Sequence, residues 1–334
     1  MKRRSLLVAG VLAFGLAAAG CLPAPVAPSP PPPAPPPSAP AGPAAPPRHP
    51  PAGLPAHFAI GLAASPPDLA GNGWVAQSGI PFDYAYTYLA GGVSTGTGWA
   101  SWNSNATYPL SYAQSAHARG AIPVLPYYML LQSSGPCSSC AEAAKDLAHL
   151  DDAGVMAAYY ADFAKLMQRL GPGTYDGVAG YGGTVIVQVE PDLSGYAEQA
   201  VLSASSCGGH CSGVGNDPAF LHASVASSGF ADVAGYPNTY AGFNFALLHL
   251  RDLYAPNVRL AFHVSNWATW RDVGSDTDPN LDPVALGDLA GAFAAASGVT
   301  SAPAGTSTYD LVFNDVADRD AGYYEHVLGR SHAF

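Results

Sequence analysis

The strongest chemical signal in the chain is Gln188-Val189-Glu190-Pro191-Asp192, which closes an apolar run. A carboxyl at such a place, partly withdrawn from water, has a raised pKa and can keep a proton for a leaving oxygen. Glu190 is therefore the candidate general acid/base, and Asp192 the residue of a turn or helix cap. Further on, Asp315, Asp318 and Asp320 follow another apolar run. Asp315 lies nearest the run and is the candidate second carboxyl; Asp318 is a candidate ligand contact. His263 and Ser265 share one side of an extended chain, so His263 is either a ligand contact or a hydrogen-bonded core residue. Tyr86, Trp99, Trp102, Tyr128 and Trp267 combine flat apolar faces with polar edges, which suits neutral, hydroxyl-rich ligands. Gly92-Val93-Ser94-Thr95-Gly96 has the G-x-S-x-G spacing of a nucleophile elbow. That motif must turn directly into a helix. Thr97 to Asn103 reads as loop instead, so an esterase built on Ser94 is the weakest reading.

Four cysteines, Cys137, Cys140, Cys207 and Cys211, form a C-x2-C and a C-x3-C pair. In an exported chain this pattern indicates disulfides rather than zinc, and four cysteines allow any of three connectivities. No metal is expected: the acids after residue 314 lack the spacing of a calcium loop. No G-x-G-x-x-G follows the first apolar run, so no nucleotide cofactor is expected either.

The elements that must position these residues alternate in type. Six apolar, β-forming runs are expected as strands: 58–62, 82–88, 121–128, 184–190, 258–264 and 309–314. Helical patterns lie between them. Ser111–Arg119 is stopped by Gly120. A long pattern covers 141–170 and breaks near Gly154. Another runs from Pro237 to Tyr254, and a fourth opens at Asp282-Pro283 and reaches Ala296. Such alternation implies a parallel sheet with crossover helices. Large polar and aromatic residues gather at the strand C-terminal ends, where a (β/α)8 barrel carries its active site. The fold expected is thus α/β, a TIM barrel that the sequence leaves incomplete at its C-terminus, with six units read of eight. The alternative is an open doubly wound sheet.

On Glu190 and this strand–helix pattern, residues 56–334 resemble the secreted TIM-barrel glycoside hydrolases. The resemblance implies carboxylate acid/base catalysis on a neutral poly- or oligosaccharide, with Glu190 as acid/base at the end of the fourth strand. The alternative it leaves is a carbohydrate-binding protein that keeps the barrel without the catalytic pair.

The N-terminus sets the compartment. Lys2, Arg3 and Arg4 precede an apolar run to Ala19, the pattern of a secretory signal. Ala18-Ala19-Gly20-Cys21 resembles a bacterial lipobox, which implies lipidation at Cys21 after residues 1–21 have acted as a signal peptide. Residues 22–55 hold 17 of the 32 prolines and one charged side chain, Arg48. This composition favours an extended polyproline II spacer. The expected protein is an exported, monomeric lipoprotein at the cell surface or in the periplasm, bound to the membrane by its lipid alone. A formal net charge of −11 argues against nucleic acid as a partner.

Overall fold

A computed structural model of the chain describes residues 50–272, 276 and 278–314. All six expected strands form: β1 (Gly61–Ala63), β2 (Tyr84–Tyr86), β3 (Ile122–Tyr127), β4 (Val185–Val189), β5 (Val258–His263) and β6 (Leu311–Phe313). They make one parallel sheet whose spatial order is the chain order. The open parallel sheet of the alternative reading fits, although its strand order does not reverse at a switch point as a doubly wound sheet's does. Residues from β1 and from β6 line the same cavity, so the sheet curls into an open half-barrel. The fold is α/β, and the described residues do not close the sheet.

The helices are α1 (Pro66–Leu69), α2 (Trp74–Ser78), α3 (Tyr108–His117), α4 (Glu142–Asp151), α5 (Ala153–Leu170), α6 (Leu193–Leu202), α7 (Tyr240–Tyr254) and α8 (Pro283–Ala294). Their starts follow from local chemistry. Asp152 breaks the long 141–170 pattern two residues before Gly154, because its carboxylate accepts the Val155 N–H at 2.8 Å. Thr239 accepts from Gly242, so α7 begins three residues after Pro237. Asp282 accepts from Val284 and Ala285 and opens α8. A two-stranded hairpin, Thr174–Tyr175 with Val178–Ala179, was not legible in the sequence.

Alternation along the strands sorts the two faces. Leu125, Tyr127, Val187, Val189, Leu260 and Phe262 face the helices and belong to the main core. There Tyr127 meets Tyr159 and Phe163 of α5 edge-on, with ring centroids 5.4 and 5.2 Å apart. Each such buried aromatic or aliphatic side chain is worth about 1.5–3 kcal/mol. Val124, Ile186 and Ala261 face the concave side. Leu54 packs on them, and Arg259 donates to the Ala52 carbonyl at 2.9 Å, so residues 52–54 floor that face.

Both cysteine pairs close locally, Cys137 with Cys140 and Cys207 with Cys211. The cross-loop alternative is not formed.

Candidate functional site

The concave face encloses a cavity of about 520 Å³ lined from all six strands. Its walls follow from a period of two. On β2 and its extension, Tyr84, Tyr86 and Tyr88 fall on one side; on β3, Val124 and Pro126; on β4, Ile186 and Gln188. Parallel register holds these positions level, with Tyr86 opposite Val124, Val124 opposite Ile186, and Gln188 opposite Ala261. His263, Phe313 and Asn314 complete the wall at the strand C-terminal ends. No Asp, Glu, Lys or Arg lines the cavity among the described residues.

Polar groups sit at defined points of this apolar surface. Gln188 Nε2 donates to His263 Nδ1 at 2.7 Å. Ser194 Oγ donates to the His263 carbonyl. Asn314 Nδ2 donates to the Val264 carbonyl and to Asn266 Oδ1, both at 2.8 Å. Tyr86 and Tyr88 keep 38% and 46% of their surface exposed, in edge-to-face contact with each other. Tyr88 also meets Tyr128 edge-on at 6.3 Å.

Glu190 does not join this wall. Tyr127 is level with Val189, so simple alternation would send Glu190 inward beside Tyr128. The backbone instead adopts φ +38° at Glu190 and +73° at Asp192. The side chain is thereby buried, 2% exposed, where its carboxyl accepts from Met129 N at 3.1 Å and Leu130 N at 3.2 Å. Burial raises its pKa to about 8, against the pull of those N–H groups. The expected raised pKa is present, but Glu190 latches the β3 and β4 ends together rather than opening into a mouth. Asp192 precedes α6 as expected, yet its carboxylate does not cap the helix N–H groups.

The other candidates divide. Tyr86 and His263 line the cavity. Tyr128 stands just outside it, its hydroxyl donating to Glu142 Oε1. Trp99 is a correction: it is fully buried, and its Nε1 donates to Asp162 at 2.7 Å. Trp102 is 43% exposed but packs on Tyr108 away from the cavity wall. Trp267 lies against Tyr196, centroids 4.9 Å apart, and over Gly195, whose missing Cβ makes room for it. Ser94 is exposed in a turn at φ +58° and opens no helix. Cys21, Asp315 and Asp318 lie outside the described residues.

Several cavity residues were missed. Tyr84, Tyr88 and Gln188 sit two positions from residues already singled out or from a strand end, so the period-two rule alone would have found them. Beside the cavity, an acidic group of Glu142, Asp146 and Asp192 was also missed. Glu142 and Asp146 share one face of α4 at a spacing of four, but Asp192 comes from the head of α6, and no sequence spacing joins it to them.

No protein-family model, no curated protein and no solved structure matches this chain. What the fold and site define is a class by geometry: an α/β protein with a curled, parallel six-stranded sheet around a tyrosine-lined cavity.

Proposed function

We propose that the protein binds a neutral oligosaccharide or polysaccharide strand in the concave cavity, as an exported lipoprotein. The observation that carries this reading is the wall itself: tyrosine faces on one flank, a Gln188–His263 pair and Asn314 on the other, and no Asp, Glu, Lys or Arg among the described residues that line it. Tyrosine rings take the apolar faces of sugars, and the polar groups fix hydroxyls. The monotonic strand order supports reading the sheet as six units of a β/α barrel. Tethering rests on the lipobox-like Ala18-Ala19-Gly20-Cys21 and the proline spacer. Among the described residues no helix is long and apolar enough to cross a membrane.

Titration of the purified protein with neutral oligosaccharides tests the reading. Binding is expected, and Tyr86→Ala together with Tyr88→Ala should weaken it at least about tenfold, the scale of a lost stacking contact or two. Undiminished binding in that double variant would remove the cavity as the site. Replacing Cys21 by Ala should shift the protein from the membrane to the soluble fraction; a wild type already wholly soluble would end the tether.

Hydrolysis of the bound glycan is the second reading, favoured by the turn after β4. Two non-glycine residues at positive φ, Glu190 and Asp192, flank the cavity residue Pro191. Such strain costs about 1–3 kcal/mol per residue and gathers at working sites. In this reading Glu190 leaves its seat to protonate the leaving oxygen, with Asp315 as partner carboxyl. Release of new reducing ends by the wild type, abolished in Glu190→Gln, separates hydrolysis from binding alone.

A further inference from the structure

Two cavity residues, Pro191 after β4 and His263 at the end of β5, lead directly into a second aromatic surface. The helix α6 follows Pro191 and carries Tyr196; the loop after His263 carries Trp267 and Trp270. The two surfaces are bonded together. Ser194 Oγ on α6 donates to the His263 carbonyl. Asn314 Nδ2, on the cavity wall, donates at 2.8 Å to Oδ1 of Asn266, the neighbour of Trp267.

The second surface is fixed against α6. Tyr196 and Trp267 meet with ring centroids 4.9 Å apart, and a Cβ on Gly195 would stand 2.6 Å from the Trp267 ring. Gln199, one turn beyond Tyr196, holds the loop at two points. Its side-chain amide donates to the Trp267 carbonyl at 3.0 Å, and its own carbonyl accepts the Trp270 indole N–H at 3.2 Å. The Trp270 backbone N–H closes the turn on the Trp267 carbonyl, also at 3.0 Å.

Trp270 is nevertheless 52% exposed, and its backbone sits at φ +66°. Neither feature serves packing. A glycine takes that torsion without strain, and an indole with half its surface in water adds little to a core. Its N–H is satisfied at one edge, which leaves a flat apolar face in a fixed orientation. Neutral polar side chains, Gln199 and Asn266, stand beside the turn, both half-buried. Arg271, the next residue, is bonded to Asp276 and Asp278. Aromatic faces edged by neutral amides suit sugar rings, and a surface held in place before binding loses little freedom when it is used.

We infer that the protein binds a polysaccharide strand longer than its cavity, and that the strand runs out over the β4 and β5 ends to stack on Trp267 and Trp270. The inference rests on the carbohydrate reading and deepens it. The ligand is a polymer, held by the tyrosine-lined cavity along one stretch and by the tryptophan surface along the next.

Calorimetric titration with neutral β-1,4-linked oligomers of glucose, mannose and xylose, each as trimer and hexamer, tests it. For the sugar that binds, the hexamer should bind the wild type about tenfold or more tightly than the trimer, the scale of one added stacking contact. Trp270→Ala should bring the hexamer close to the trimer, and Trp270→Phe should keep most of the difference; thermal melts would show that both variants fold. Equal binding of trimer and hexamer to the wild type would overturn the polymer inference and leave the carbohydrate reading standing. A length preference undiminished in folded Trp270→Ala would also overturn it. Failure of every oligomer to bind would remove both.

Discussion

The two faces of the sheet are built from the same alternating strands yet treat polar groups in opposite ways. The concave face carries neutral polar groups, keeps them bonded to one another, and leaves its tyrosines open to solvent. The helix-covered face buries titratable groups. Glu190 is held by the Met129 and Leu130 N–H groups. Asp162 accepts from Trp99 and, at 2.6 Å, from Tyr127. Glu198 on α6 is also 2% exposed. Burial raises their pKa values, to about 8, 6 and 7 respectively. The difference teaches that a raised carboxyl pKa in this molecule marks the packing layer. The cavity is recognised by its shape and, among the described residues, by a lining without charged side chains.

The comparison breaks most readily at Glu190. Glu190→Ala would leave two buried N–H groups unsatisfied and open a void, so a loss of about 2–5 kcal/mol is expected in urea unfolding. Glu190→Gln keeps an acceptor and should cost far less. Equal losses in the two variants would show that the latch is not what the carboxyl provides.

The pH profile is the next largest effect. A carboxyl whose pKa rises on folding holds its proton more tightly in the native state than in the unfolded chain. Its stabilising contribution is complete below the unfolded value and is lost as pH climbs through the folded one. For Glu190 that window runs from 4.5 to about 8. Stability should therefore fall across it, by on the order of a few kcal/mol. Glu190→Gln should flatten the slope. A wild-type profile that rises through this window would contradict the buried, protonated carboxyls.

Smaller effects follow at the disulfides and on the concave face. Each bridge closes a very short loop, with sequence separations of 3 and 4. The Cys137→Ser, Cys140→Ser pair should cost about 2 kcal/mol. Thiol titration of the unfolded, oxidised wild type should find none of the four reduced. Smallest of all, Tyr86→Ala should change stability by less than about 1 kcal/mol, since its ring is only partly buried. A large loss of stability there would mean that the tyrosine ladder is core and not a binding surface.

The sequence by itself determined the elements. Apolar, β-forming runs located all six strands, since burial on both faces of a parallel sheet demands such residues. Local chemistry at Gly120, Pro237 and Asp282 bounded the helices to within a few residues, and the spacing of the cysteines in an exported chain pointed to disulfides. Tyr86 and His263 were legible as cavity residues because their direction depends only on strand parity. Tertiary structure decided the rest. Glu190 has inward parity, but a positive φ turns it into the helix layer, and no residue pattern announces that torsion. Trp99 looked like a stacking platform until Asp162, 63 positions away, claimed its indole N–H. Which of the three connectivities the cysteines adopt, and the meeting of Glu142 and Asp146 with Asp192, depend on distances through space. The second is set only when α4 and α6 pack together.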